Sequence, residues 1–205
     1  MTSGLLILIS APSGAGKTSL VNEIVKRDGN LVKSISHTTR TKRTGEVNKQ
    51  DYFFVTTNQF DQMIANKEFL EYAEVFGNFY GTSKTSVNEH RDLGRDVLLE
   101  IDWQGAQQIQ DLNEEAVSIF VVPPGTKDLE TRLVNRGEDS KETINRRLSQ
   151  AEGDMKKGRN YQYLIINDFF DDAVSNLLTI IAAERLKTSN QISNSDLVRD
   201  LLSLK

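Results

Sequence analysis

A glycine-rich stretch near the amino terminus has the residue types and spacing needed to bind a phosphate chain. Residues 10–20 read SAPSGAGKTSL, directly after the apolar run 5–9 and directly before a helical pattern. Glycines let successive backbone N–H groups point at phosphate oxygens, and the next helix adds the positive end of its dipole. Lys17 is placed to reach the β and γ phosphates of a nucleoside triphosphate, and the Thr18 hydroxyl to bind Mg²⁺. The residues predicted to bind this triphosphate are Ala11, Pro12, Ser13, Gly14, Ala15, Gly16, Lys17 and Thr18.

The loop departs from the usual G-x-x-x-x-G-K-[ST] pattern at its first position, which is Ala11. Alanine accepts an ordinary negative φ, so we expect the loop to form if this position needs no left-handed backbone. A glycine-rich turn with an incidental lysine is the alternative. A dinucleotide-binding loop is not indicated, because the chain has no G-x-G-x-x-G.

Two carboxylates follow a second apolar run and are candidates for holding a metal. The stretch DVLLEID at 96–102 supplies Asp102, with Glu100 two residues earlier on the same face of the predicted strand. Mg²⁺ usually keeps several waters, so either carboxylate could hold it through water. The alternative is a pair of solvated acids at a strand end.

A basic stretch at 34–54 predicts a second anion site in an otherwise mildly acidic chain. It reads SISHTTRTKRTGEVNKQDYFF and contains Arg40, Lys42, Arg43 and Lys49, whereas the net charge of the chain is −4. An arginine fork grips a phosphate better than lysine does, because its donors are planar and fixed. A solvated basic face is the alternative reading of this stretch alone.

Apolar runs alternate with helical patterns along the chain, which favours one α/β domain with a parallel sheet. Continuously apolar runs at 5–9, 97–99, 119–122 and 163–166 are typical of strands covered on both faces. Two polar insertions, at about 34–92 and 125–160, interrupt this rhythm. The stretch after Lys187 is polar and linker-like, and we expect a short amphipathic helix beyond it. The apolar stripe of that helix is Leu197, Val198, Leu201 and Leu202, a candidate contact of a homo-oligomer.

Composition narrows the partners and the location. A net charge of −4 argues against a broad surface for nucleic acid or an anionic membrane. The five-residue apolar run at 5–9 is too short for a signal sequence or a membrane helix. The chain has no cysteine, which excludes disulfides and thiolate metal sites and fits a reducing cytosol. We therefore expect a cytoplasmic protein that binds neither nucleic acid nor membrane.

Four motifs in order and spacing together resemble the guanylate kinase family over about residues 5–186. They are SAPSGAGKTSL, SISHTTRTKRTGEV, EFLEYAEVFGNFYGT and LEIDWQGAQQI. The resemblance implies a P-loop kinase that carries out ATP + GMP → ADP + GDP with Mg²⁺. It also implies three parts within one domain of residues 1–205: a core (1–33, 93–124 and 161–205), a GMP-binding lobe (34–92) and a mobile lid (125–160).

The resemblance also assigns roles to matching residues. It places the phosphate of GMP on Arg40, Arg43, Tyr52 and Tyr80, guanine on Ser36, Glu71 and Thr82, and Asp102 near the acceptor and the metal. It assigns catalysis to Lys17 and to three lid arginines, Arg132, Arg136 and Arg147. It places Asn167 and Asp168 near the adenine of ATP.

The guanine role of Glu71 makes chemical sense, because N1–H and N2–H₂ of guanine are adjacent donors that one carboxylate can accept. Adenine has no proton at N1, so a buried carboxylate would be left unpaired against it. The alternative for Glu71 is an exposed acid on a helix. In the arginine-rich segment, Arg146 is expected to point away from Arg147 if the segment is helical.

The sequence is also compatible with two other functions. One is a related P-loop kinase acting on another small phosphate acceptor, and the other is a catalytically silent guanylate-kinase-like module that binds phosphoproteins. Lys42 and Glu100 stand where the family often has proline and aspartate. Neither departure removes a required chemical group, so we expect them to affect rates.

Overall fold

The computed structural model describes residues 3–112, 115–135 and 141–203. A five-stranded sheet, in the order β2-β7-β1-β8-β9, forms the centre, and every neighbouring pair in it is parallel. Its strands are β1 (Leu6–Ser10), β2 (Leu31–Lys33), β7 (Asp96–Glu100), β8 (Ala116–Val122) and β9 (Tyr163–Ile166). The prediction of a parallel α/β core is confirmed.

The continuous apolar character of β1 follows from burial on both faces. Ile7 and Ile9 point into one apolar cluster and Leu6 and Leu8 into a second one on the other face. The first cluster is covered by α1 (Lys17–Arg27) and α7 (Phe170–Arg185), and the second by α3 (Lys84–Arg91) and α4 (Trp103–Asp111). The carboxyl ends of β1 and β7 are therefore held in place by apolar packing on both faces of the sheet.

A second, four-stranded sheet forms the inserted lobe, in the order β4-β3-β6-β5. Its strands are β3 (His37–Thr38), β4 (Phe53–Phe54), β5 (Phe69–Val75) and β6 (Asn78–Ser83), and α2 (Thr57–Ala65) packs on it. Phe60 of α2 stacks on Phe69 and Phe79, with ring centroids 4.5 and 5.5 Å away. The lobe thus has an aromatic core of its own, separate from the two clusters of the central sheet.

Two helices, α5 (Thr126–Asn135) and α6 (Lys141–Lys157), lie over the phosphate loop and are followed by a 3₁₀ turn, Gly158–Asn160. Leu129 of α5 and Ala151 of α6 are buried together with Ala15 of the loop. This small apolar cluster fixes the base of the predicted lid on the loop itself.

The carboxyl-terminal stretch differs from the sequence expectation. Residues predicted to be linker-like form α8 (Thr188–Asn194), and the expected amphipathic helix follows as α9 (Asp196–Ser203). Polar side chains dock α8: Asn190 and Gln191 donate to the carbonyls of Glu184 and Arg185 at 2.7 and 2.8 Å. Two of its polar side chains thus bond the backbone at the end of α7, while most of α8 stays exposed to solvent.

Most of the apolar stripe of α9 is open to solvent, with Leu197, Leu201 and Leu202 each more than half exposed. Within the described ranges, no helix is both long and apolar enough to cross a membrane.

Candidate functional site

The phosphate loop turns from β1 into α1 through two glycines in left-handed backbone. Gly14 and Gly16 have φ of 86° and 89°, and α1 begins at Lys17 directly after Gly16. Ala11 is not among the non-glycine residues of the described ranges that have positive φ. Alanine in place of the usual first glycine is therefore compatible with the loop, as the sequence predicted.

Asn167, at the end of β9, holds the loop from behind. It is buried, and its Nδ2 donates to the carbonyl of Ala15 at 2.7 Å. A Cβ on Gly16 would lie 2.5 Å from that nitrogen, so glycine is required there for its contact as well as for its φ. The structure thus places Asn167, predicted to lie near adenine, as a brace of the loop, while the neighbouring Asp168 is exposed at the rim of the cleft.

Lys17 lies at the centre of a charged cluster at the ends of β1 and β7. Its Nζ donates to the carbonyl of Ile101 at 2.7 Å, and burial lowers its pKa despite the opposing Glu100 and Asp102. The Thr18 hydroxyl donates to Glu100, which also pairs with Lys33 Nζ at 2.6 Å. Burial alone would raise the pKa of Glu100, but Lys17 and Lys33 hold it below its ordinary value. Glu100 is therefore ionised and already bonded to the hydroxyl predicted to bind a metal.

Two connected cavities meet at Lys17. The larger, which we call the donor cleft, has a volume of about 920 Å³ and is lined by the phosphate loop, Asp102, Arg132 and Asp168. The smaller, the acceptor pocket, has a volume of about 210 Å³. Its polar lining consists of Ser13, Lys17, Ser36, Arg43, Tyr52, Glu71, Tyr80, Glu100, Asp102 and Arg147. The structure therefore brings most of the predicted acceptor-binding residues together beside the predicted catalytic lysine.

Glu71 lies in the acceptor pocket on β5 and is 4 % exposed. The expectation of an exposed helix acid, held open as the alternative, is wrong for this residue. The Thr82 hydroxyl donates to Glu71 Oε1 at 2.5 Å, and Thr82 itself is fully buried and does not line the pocket, unlike Ser36 and Glu71. Burial raises the pKa of Glu71 to about 7, and Thr82 and Lys17 only partly offset that rise.

The second oxygen of Glu71 rests on the first turn of α4. A Cβ on Gly105 would lie 2.3 Å from Glu71 Oε2. The backbone N–H of Gly105 donates to Asp102 Oδ1 at 3.0 Å, which caps α4. Gly105 was not singled out from the sequence. The only local signal was a small residue inside the helical motif, and its contact with Glu71 spans 34 positions of the chain.

Arg40 has a partner that the sequence analysis missed. Its two guanidinium nitrogens bond both oxygens of Glu46, at 3.1 and 2.6 Å, and its Cζ lies 5.4 Å from the centre of the Tyr52 ring. Glu46 also accepts the backbone N–H of Arg43 at 2.8 Å. One carboxylate thus orients the loop that carries both predicted phosphate-binding arginines, and Arg43 is the one of the two that lines the pocket.

Tyr52 and Tyr80 both line the acceptor pocket, and their rings meet edge to face with centroids 6.0 Å apart. Burial raises the pKa of Tyr52 to about 12, so its hydroxyl stays protonated and can donate to an anion.

The two predicted lid arginines within the described residues lie at different cavities. Arg132 lines the donor cleft and donates to the carbonyl of Asn167 at 2.9 Å, whereas Arg147 lines the acceptor pocket. Arg136 lies outside the described residues. Arg146 does not diverge from Arg147 as expected, because both guanidinium groups lie over the ring of Phe76, at 5.4 and 5.3 Å.

Comparison with known proteins agrees with this geometry. The family model described as guanylate kinase matches residues 3–184. A guanylate kinase of Shewanella frigidimarina is 47 % identical over 98 % of this chain and 99 % of its own length. One of Methylococcus capsulatus is 50 % identical over 98 % of this chain and 100 % of its own.

Among solved structures, the guanylate kinase of Anaplasma phagocytophilum superimposes with a TM-score of 0.79 at 33 % identity. That match covers 98 % of this chain and 95 % of the other.

Proposed function

This chain belongs to the guanylate kinase family, and from that premise we propose that it transfers the γ-phosphoryl group of ATP to GMP, giving ADP and GDP. It is a nucleoside monophosphate kinase that acts with ATP. The place of this reaction is purine nucleotide metabolism, and the proposed location is the cytoplasm.

The observation that carries the proposal is the buried pair of Glu71 and Thr82 in a pocket that opens onto Lys17. A sugar phosphate needs no residues that read guanine. Guanine suits this pair, because N1–H and N2–H₂ are two donors on one edge, matched to the ionised carboxylate. Ser36 lines the same pocket and adds a hydroxyl for the base.

The phosphate of GMP would bind at the other end of the acceptor pocket. Arg43, Tyr52 and Tyr80 offer guanidinium and phenol donors there, and Arg40 lies behind them on Glu46. Since the two cavities join at Lys17, this end of the pocket directs the acceptor oxygen toward the γ phosphate. Such alignment replaces a random encounter with an in-line geometry.

Phosphoryl transfer needs little covalent chemistry from the protein, because its transition state is stabilised by positioning and positive charge. Lys17 would contact the transferring group from the loop, Arg132 from the donor side and Arg147 from the acceptor side. Arg136 completes the proposed lid set. Asn167 braces the loop, and Asp168 stands at the rim near the proposed adenine position.

The residues around Thr18 fit a magnesium ion brought in with ATP. Its hydroxyl and the ionised Glu100 lie side by side, whereas Asp102 is partly engaged in capping α4. No group of three or more acidic or histidine residues capable of holding a metal is found in the described ranges. Such a donor set suits Mg²⁺, which binds through one or two carboxylates, waters and substrate phosphates. When bound, the ion neutralises charge on the β and γ phosphates.

The proposed moving parts are those of the sequence prediction: the core, the GMP-binding lobe (34–92) and the lid (125–160). Closure of both lobes would exclude water, which otherwise competes with GMP for the γ phosphate. The exposed stripe of α9 is the proposed contact of a homo-oligomer. Surfaces for nucleic acid or membrane are not part of the proposal.

A direct test is the release of ADP from Mg·ATP with GMP, AMP, UMP and CMP offered separately. The proposal predicts turnover with GMP and at most trace turnover with the other three. Equal turnover with several acceptors would favour the broader P-loop kinase. Binding of GMP or ATP without any turnover would favour the silent module.

A further inference from the structure

Phe76 occupies the tip of the β5–β6 hairpin in a backbone conformation that suits it poorly. Val75 pairs with Asn78, so Phe76 and Gly77 form a two-residue turn with φ of 53° and 78°. Positive φ at both positions defines the turn type that prefers Asn-Gly, and for a bulky residue it is strained. A phenylalanine at the first position therefore calls for a reason outside the hairpin.

The side chain of Phe76 does not serve the core of its own lobe. It is 36 % exposed and belongs to none of the apolar clusters or ring pairs found among the described residues. It lines both the donor cleft and the acceptor pocket, at the point where they join. The ring is thus placed between the two proposed nucleotides.

The contacts of the ring are with the lid. The guanidinium carbons of Arg146 and Arg147 lie 5.4 and 5.3 Å from its centre, within the range of a cation–π interaction. These residues are consecutive on α6, so one ring at the hairpin tip contacts two charges of the opposite lobe. Arg147 also lines the acceptor pocket.

We infer that Phe76 is a positioning residue that couples the acceptor lobe to the lid by holding Arg146 and Arg147 at the junction of the two cavities. The inference rests on the proposed function, in which Arg147 neutralises charge during phosphoryl transfer. When the acceptor lobe closes on its nucleotide, the hairpin tip carries the ring, and the ring carries the arginines toward the transferring group. Strain at Phe76 is tolerated because a side chain suited to the turn would not reach the lid.

The test replaces the ring while improving the turn. Phe76→Asn gives the preferred Asn-Gly turn, so we expect thermal stability to be maintained or to rise. The same change removes both cation–π contacts. Each contact should change kcat by about threefold, so we expect kcat to fall about tenfold when both are lost. The affinity for GMP alone and for ATP alone should change by less than about twofold, since neither nucleotide depends on Phe76 to bind in isolation.

Two further variants keep the inference open to failure. Phe76→Tyr retains the ring and should restore most of the lost kcat. Lys67→Asn is the matched control, because Lys67 also has positive φ (57°) but lies at the turn between α2 and β5, away from both cavities. It should stabilise the protein similarly without lowering kcat.

A second readout separates this inference from the proposed function. Calorimetry would measure the affinity for GMP with and without a non-hydrolysable ATP analogue and Mg²⁺. We expect each ligand to strengthen the other in the wild type, and this coupling to be lost in Phe76→Asn. Absence of GMP-dependent turnover in the wild type would overturn the proposed function, whereas the coupling would still decide the role of Phe76. Unchanged kcat and coupling in Phe76→Asn, or equal losses in Phe76→Tyr, would overturn the inference.

Discussion

The donor cleft and the acceptor pocket share Lys17, but they are built by different means. The donor cleft is formed mainly by the backbone of one short loop, which two glycines turn and Asn167 holds. The acceptor pocket is formed by side chains from separate strands and loops of a second sheet, with the lid and β7 closing it. A phosphate chain can be held by N–H groups of any sequence with the right turn, whereas a purine edge requires particular side chains. In the proposed function, general phosphate binding and base specificity therefore reside in different regions.

The largest effect should come from the residue that both regions share. Lys17→Met removes the charge that we propose contacts the transferring group, and we expect kcat to fall about 10³-fold, roughly 4 kcal/mol. Steady-state kinetics with saturating GMP and Mg·ATP would measure it. Lys26→Met, on the exposed face of the same helix, is the matched control. A kcat within tenfold of the wild type would remove Lys17 from the chemistry.

Burying Glu71 in the acceptor pocket should lower the stability of the folded protein at neutral and higher pH. The pKa of Glu71 is about 7 in the folded protein against 4.5 ordinarily. Folding favours the protonated form of Glu71 because its pKa is higher in the folded protein than in the unfolded chain. The contribution of this carboxyl group to the free energy of unfolding is therefore complete below pH 4.5 and is lost as the pH rises through 7. Glu71→Gln should therefore be more stable than the wild type at pH 8 by up to about 3 kcal/mol, and equal to it at pH 4.5. Urea unfolding at both pH values measures the difference, with Glu89→Gln on α3 as the control.

A third change damages the pocket without altering a polar side chain. Gly105→Ala would place a Cβ 2.3 Å from Glu71 Oε2, so the carboxylate must move. We expect kcat/KM for GMP to fall about 30-fold, roughly 2 kcal/mol, with the KM for ATP unchanged. Gly29→Ala is the control, because no atom lies within 4 Å of a Cβ there. A parallel rise in the KM for ATP would show that the two regions are not separable in this way.

The smallest effect should be a pH dependence confined to the acceptor. In the proposed function only the ionised form of Glu71 can accept both guanine donors, so the KM for GMP should fall about tenfold between pH 6 and pH 8. The phosphate of GMP also titrates near pH 6, so the profile should be compared with that of Glu71→Gln, which keeps that titration. Identical pH profiles in both proteins would contradict a role for Glu71 ionisation.

The donor cleft is built from one continuous stretch of chain and the acceptor pocket from distant segments, and this difference explains which features could be predicted from the sequence. β1, the phosphate loop and α1 follow one another in the chain, so an apolar run, a glycine motif and a helical pattern sufficed to predict them. The burial of Glu71 depends on α4, and the contact that requires Gly105 is long-range. No local pattern in EFLEYAEV distinguishes a buried acid on a strand from an exposed one on a helix.

The other features that the sequence did not predict also depend on contacts that form only in the folded chain. Arg40 and Glu46 are six positions apart, but their pairing depends on how the loop folds back, and the basic residues of the stretch predicted an anion site without indicating this internal partner. The polar stretch at 188–194 became a helix because its amides bond the end of α7. The roles of the site residues in catalysis stay predictions, although the structure places most of them around two adjoining cavities.

The most direct test of the account is the ratio of kcat/KM for GMP to that for AMP, measured in the wild type and in Glu71→Gln. A site built around a buried hydrogen-bonding group rejects the wrong base by about 10⁴-fold or more. We predict such a ratio in the wild type and a fall of at least about 10²-fold in the variant, mostly through lost GMP activity. Glu89→Gln should keep the wild-type ratio. A ratio near one in the wild type, or one that Glu71→Gln leaves unchanged, would contradict the claim that this pocket reads guanine through Glu71.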